Sequence, residues 1–223
     1  MKDNFSLEVP INSVSFGQIS VAILREFKKM GLEPNIFPIG NIDLSSQKPD
    51  REFNEWLQKC VFKAQKEHKR RFPVFKLWHL NGGINSVSDK QFLYTFWETD
   101  SPTPEELNVI KNNSTVGLSS QYAISILNGF GCDNIVKLHP GFDSYNFHRI
   151  TDKKYFDDDR IVFSVVGKFE PLRKNHAKII QTWIKRFGNK KKYWLHCAIH
   201  NPFMHPQEMQ NAYAALLGGQ NIP

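Results

Sequence analysis

The chain has 223 residues, 40% of them hydrophobic and 23% charged, which fits one large globular domain or two modest ones and excludes fibrous and wholly disordered classes. Its formal charge of +7, from 29 Lys and Arg against 22 Asp and Glu, favours polyanionic partners such as nucleic acid, anionic lipid or phosphorylated metabolites. No window approaches the roughly 18 uninterrupted apolar residues of a membrane-spanning helix, and Met1-Lys2-Asp3-Asn4-Phe5-Ser6 lacks a secretory layout. The expected location is therefore cytoplasmic, with peripheral contact to an anionic membrane as an addition.

In chain order, residues 5–9 form a β-prone run closed by Pro10, and the spacing Ile19, Ile23, Phe27, Met30 then switches to helical period. Lys28 and Lys29 fall in the last turn of this helix and Gly31 follows it, a favourable helix end. Residues 35–39 read as a second strand, so the first 40 residues make a β-α-β unit and predict a parallel sheet. Residues 50–70 suit a surface helix carrying Phe53, Trp56, Leu57 and Phe62, and the apolar run 74–80 follows Pro73. Asn81-Gly82-Gly83 is a turn and 91–97 a strand. Thr103-Pro104-Glu105-Glu106 starts a helix with a capping box and proline at its first position. Residues 115–118 form a strand, Ser119-Ser120 cap a helix with Ala123, Ile126 and Leu127 inward, and 135–138 form another strand before His139-Pro140-Gly141.

Residues 144–160 are polar and aspartate-rich and mark a boundary. The expected division is a first domain over 1–150, a connector over 151–160 and a second domain over 161–223. After the connector, 161–166 read as a buried strand. Asn175 caps a helix with Ile179, Ile180, Trp183, Ile184 and Phe187 inside, 193–199 form the next strand, and Pro206 opens a last helix. A parallel sheet of about two strands is short of the usual five or six, so the second domain reads as truncated. Cys60, Cys132 and Cys197 are too widely spaced for a disulfide framework or paired metal motif and are expected to be reduced and buried.

In open parallel sheets ligands bind where a loop leads from a strand's carboxyl end into a helix N-terminus. Three such loops carry chemistry. Asn12 to Gln18 places Gly17 at a helix start, where a missing side chain admits a phosphate or sugar, though an ordinary turn reads the same way. Gly167-Lys168-Phe169-Glu170-Pro171-Leu172-Arg173-Lys174-Asn175-His176 follows a strand and precedes a helix. Its three cations suit a diphosphate whose charge grows as its bond to a sugar breaks, or simply a solvated basic loop. Trp97-Glu98-Thr99-Asp100 offers two carboxylates for acid–base work or sugar hydroxyls, or acidic residues favourable before a helix. Asp157-Asp158-Asp159 precedes its strand and reads as solvated linker rather than a cation site. His196, His200 and His205 lack zinc-ligand spacing.

Taken in order, the Gly17 loop, Phe96-Trp97-Glu98-Thr99-Asp100 with Pro102, Val116-Gly117-Leu118-Ser119-Ser120 and Val136-Lys137-Leu138-His139-Pro140-Gly141-Phe142-Asp143 resemble family-4 retaining glycosyltransferases of the GT-B fold. The run 136–143 is similar to that family's strand ending in P-G-V-D, with Phe147 where a phenylalanine commonly follows. Gly167-Lys168 through Arg173-Lys174 resembles its Gly-Arg/Lys loop. The resemblance implies an α/β, GT-B-like protein: a Rossmann-like, parallel-sheet N-terminal domain binding the acceptor, then a truncated second Rossmann-like domain binding a nucleotide-diphosphate-sugar. It implies hexosyltransferase-like transfer with retention, the nucleotide-sugar as substrate, and no metal or other cofactor. By this likeness Gly17, Gly167, Lys168, Arg173 and Lys174 hold the donor diphosphate, Lys168 and Lys174 stabilise its departure, and Glu98 lies in the acceptor cleft. The acceptor, whether glycan, lipid, small molecule or nucleic acid, is left open. Many relatives carry a histidine where Trp97-Glu98 stand. The family's paired glutamates have no counterpart after Pro206, so the chain is expected to be a fragment. A non-catalytic module binding nucleic acid or another polyanion is the alternative, and a glycosyltransferase acting on nucleic acid joins the two.

Overall fold

Strand β1 (Ser6–Val9) runs into helix α1 (Ser15–Lys29) and returns as β2 (Asn35–Pro38), parallel to β1 with Leu7 beside Ile36. In this computed structural model, which describes residues 4–151, 156, 158–170 and 173–217, the chain divides into two compact units, Met1–His148 and Arg149–Pro223. The first unit continues through α2 (Arg51–Glu67), β3 (Val74–Leu77), β4 (Gln91–Thr95), α3 (Pro104–Asn112), β5 (Thr115–Leu118), α4 (Gln121–Gly129) and β6 (Ile135–Lys137). All six strands are parallel, in the order β2-β1-β3-β4-β5-β6. The result is a Rossmann-like α/β sheet with helices on both faces.

Register assigns the faces. Leu7, Val9, Ile36, Leu77 and Tyr94 share one face and form a core with Val21 and Leu24 of α1 and Phe53, Leu57 and Cys60 of α2. Leu93, Trp97, Val116 and Leu118 point the other way, onto Ile110 of α3 and Ala123, Ile124 and Leu127 of α4. Helix starts follow from capping chemistry. Asp50 accepts from the Phe53 N–H at 2.9 Å, Thr103 and Glu106 form the expected capping box, and Ser120 accepts from Ala123.

The connection between β3 and β4 has no helix. Polar side chains of neighbouring segments hold it in place: buried Gln91 of β4 donates to Gly83 O at 2.6 Å and to Asn113 Oδ1 at 2.7 Å, and Asn113 donates to Gly83 O at 3.3 Å. Under the same connection lies Lys76, 3% exposed, paired across strands with its register partner Glu8 at 2.9 Å and donating to Asn85 O at 2.6 Å. A charge inside a strand is tolerated there because a carbonyl-bearing loop, not an apolar helix, closes over it.

Several side chains differ from the sequence expectation. The stripe Ile19, Ile23, Phe27 and Met30 is not the buried face of α1; Gly17, Ser20, Val21 and Leu24 are, and Met30 is 67% exposed. The first stripe instead walls an apolar groove of about 750 Å³ with Phe75, Tyr94 and Leu138. Phe62 on α2 is exposed. On α4, Ile124 is buried and Ile126 only partly so.

The second unit holds β7 (Ile161–Lys168), α5 (His176–Phe187), β8 (Tyr193–His200) and α6 (Pro206–Leu216), with β7 and β8 parallel over eight residue pairs. Ile180 of α5 and Met209 and Leu216 of α6 meet Phe169 and Ile199 in a small core. β7 is not a buried strand. Val166, 73% exposed, and Trp194 lie on its uncovered face, and Ile161 and Phe163 are exposed on the other. Ile179 on α5 is likewise exposed, and Cys197, on the helix side of β8, is exposed while Cys60 and Cys132 are buried. Among the described residues the unit has two strands and two helices, which leave one face of the sheet bare and cover the other only in part. Among the described residues no helix is long and apolar enough to cross a membrane.

Candidate functional site

In the first unit the chain leaves β1 toward β2 on one side, while β3 flanks β1 on the other, so the carboxyl ends of β1 and β3 open a switch-point crevice. The loop after β1 reaches it through Phe16, whose ring lies 4.3 Å from His79 and 5.5 Å from Phe96. Gly17 is buried as the third residue of α1, and a Cβ there would fall 2.3 Å from Asn12 Oδ1 and 2.4 Å from Asn12 O. Its lack of a side chain is needed by its own loop.

The run 136–143 folds back onto the same helix start. Asp143 accepts from Tyr145 N and Asn146 N, Asn146 donates to Gln47, and Gln47 donates to Gln18 at 2.6 Å, next to Gly17. Tyr94, whose hydroxyl reaches Leu138 O, anchors the run to β4; burial pushes that phenol up from its ordinary value. Four segments far apart in sequence thus meet at the carboxyl edge of one sheet.

Glu98 lies three residues beyond β4 and is exposed. It borders a cavity of about 310 Å³ shared with Phe96, Trp97, Ser119, Ser120 and Tyr122. That cavity offers a carboxylate, two hydroxyls and an exposed aromatic ring, a set able to hydrogen-bond and stack on a hydroxylated ligand.

The basic loop belongs to the second unit. β7 ends at Lys168, and Gly167 just before it has φ +153°, inside the range side chains avoid. The loop base is clipped to β8: Phe169 N donates to His200 O at 3.0 Å and Asn201 donates to Phe169 O at 3.1 Å. At its far end Asn175 occupies the left-handed region at φ 53°, so it stands at the cap position of α5 without making the expected side-chain cap. His176 follows, 3% exposed, its ring near Phe169 and Gly167.

Lys168, Arg173 and Lys174 are all exposed, at the junction of β7 with the first turn of α5. Between them sits Glu170, which the sequence reading passed over. Its Oε1 lies 2.9 Å from Lys168 Nζ and its Oε2 2.6 Å from Arg173 Nε. These partners, Arg173 first and Lys168 second, hold its carboxyl down to about 2. The spacing itself was the missed signal, because a glutamate two residues after one cation and three before another reaches both. Pro171 and Leu172 lie outside the described residues.

The candidate residues therefore fall on two units: Gly17 and Glu98 on the first, Gly167, Lys168, Arg173 and Lys174 on the second. His79, exposed at the end of β3, is a crevice residue the motifs did not single out; its place two residues past a parallel strand was its signal. Asp158 is engaged by Arg160 at 2.8 Å, and Asp157 lies outside the described residues. Among the described residues no three His, Cys, Asp or Glu side chains converge as a cation site. Compared with known proteins, the chain matches no family model and no curated sequence.

Proposed function

We propose that the chain is part of a retaining, GT-B-type sugar transferase, in which the first unit receives an acceptor and the second engages the diphosphate of a nucleotide-sugar. The observation that carries this reading is the junction of β7 and α5: a positive-φ glycine, three cations and a helix N-terminus at the carboxyl end of a parallel strand. As a sugar–phosphate bond breaks, negative charge gathers on the diphosphate, and Lys168, Arg173, Lys174 and the first N–H groups of α5 stabilise it. Arg173 offers a planar fork for two oxygens, Lys168 and Lys174 compact charges. Gly167 allows close approach of the backbone. Glu98, in its cavity with Ser119, Ser120 and Tyr122 of the first unit, accepts hydrogen bonds from acceptor hydroxyls.

The test is release of nucleoside diphosphate from a panel of nucleotide-sugars. The Lys168→Ala/Lys174→Ala double variant is expected to lose at least about tenfold in turnover, and unchanged turnover refutes the assignment. A second reading, a non-catalytic polyanion or nucleic-acid binder, draws on a different patch. Lys190, Lys191 and Lys192 border a cavity with Arg160, Tyr193 and Trp194, the last 47% exposed. It requires affinity for single-stranded nucleic acid that falls steeply with salt; binding flat in salt removes it.

A further inference from the structure

We propose that Glu170 is an internal counter-anion of the Gly167–His176 loop, occupying its cations with its own carboxylate until a phosphate ligand displaces it. The inference rests on the reading of this loop as a diphosphate site and assigns it a residue that sets its affinity. The geometry is that of a bridge. One carboxylate oxygen faces Lys168 Nζ at 2.9 Å, the other Arg173 Nε at 2.6 Å, and the side chain is only 26% exposed. Lys168 is further held over the Phe203 ring, 5.3 Å from its centroid. Lys174 makes no ion pair with another described residue, although its N–H reaches Glu170 O at 3.4 Å. Two of the three cations are thus engaged by one acid, leaving the loop a net charge of +2 from three bases and one carboxylate.

A carboxylate and a phosphate oxygen make the same demand on a guanidinium or an ammonium. An incoming diphosphate therefore competes with Glu170 for Lys168 and Arg173, and its observed affinity is its intrinsic affinity less the cost of breaking two ion pairs. Glu170 stays ionised through the neutral range, since its carboxyl is held at about 2, so the competition does not switch with ordinary changes of pH. Its strength is fixed by reach: two methylenes let one glutamate span both cations, whereas aspartate is a methylene short.

Titration calorimetry of sodium pyrophosphate into the full chain at constant ionic strength tests this. Exposed ion pairs of this kind contribute modestly, so Glu170→Gln is expected to tighten pyrophosphate binding on the order of tenfold. Glu170→Asp should fall between the variant and the parent, and adding Lys168→Ala to Glu170→Gln should cancel most of the gain. Equal or weaker binding by Glu170→Gln, with parent binding still abolished by Lys168→Ala/Lys174→Ala, overturns the counter-anion while leaving the diphosphate site standing. No pyrophosphate binding by parent or Glu170→Gln, or binding that survives loss of both lysines, overturns the site and this inference together.

Discussion

At the scale of single residues, the first unit depends on charges placed where a strand pattern forbids them. Lys76 sits in β3 with 3% of its side chain exposed, and its worth comes from Glu8 beside it and Asn85 O above. Lys76→Ala leaves the largely buried Glu8 carboxylate unpaired and should cost about 3 kcal/mol in urea unfolding, whereas Glu8→Leu/Lys76→Met should recover most of that loss. Asp50 caps α2 and pairs with Arg25 at 2.7 Å. The Phe53 N–H is the chief cause of its depressed pKa, with Arg25 adding to it. A carboxyl with a lowered folded-state pKa contributes stability above its unfolded value and loses it as pH falls through the folded one. The Asp50 contribution should therefore be intact above pH 3.8 and fade only in stronger acid. Asp50→Asn should keep the cap and flatten that acid dependence, while Asp50→Ala should cost about 1 kcal/mol at neutral pH.

At the scale of elements, two backbone positions decide how loops meet helices. Gly17 lies against Asn12, and the atoms a Cβ would strike include backbone, which cannot rotate away. Gly17→Ala should cost about 3 kcal/mol, read as a drop in the denaturant midpoint of the first unit. Asn175 holds a left-handed conformation at the turn into α5. Asn175→Gly should be neutral or slightly stabilising and Asn175→Ala destabilising by about 1 kcal/mol, measured by thermal unfolding. Such a loss would also loosen the loop that positions Lys174, so pyrophosphate affinity is the companion readout. Asparagine was legible in sequence as a helix-start residue. That it acts through its φ and not through its side chain was not, because both roles select the same residue type.

For the whole molecule, the two units differ in how well their sheets are enclosed. The first buries apolar residues on both faces of its sheet, while in the second Val166 and Trp194 stand in solvent on the bare face of two strands. Amide exchange should follow: β7 and β8 are expected to exchange well before β1, β3 and β4 under native conditions, and equal protection in a mass-spectrometric time course would contradict this. The same contrast marks where sequence patterns could be trusted. The order of strands and helices along the chain and the capping box at Thr103 follow from local chemistry and were legible. The buried-strand reading of β7 failed because an apolar run records what a strand needs and not whether neighbouring elements supply it.

By itself the sequence determined the alternation of strands and helices, the parallel sheet that this alternation entails, and the basic loop between β7 and α5. These are set by periodicity, capping and turn residues within a few positions of one another. Only the tertiary structure decided which stripe of α1 is core, which neighbour makes Lys76 tolerable and which segments meet beside Gly17. It also decided that Glu170 stands between the cations of its own loop. Each of these depends on distances between side chains that a linear pattern does not contain, and on whether apolar surface finds a partner.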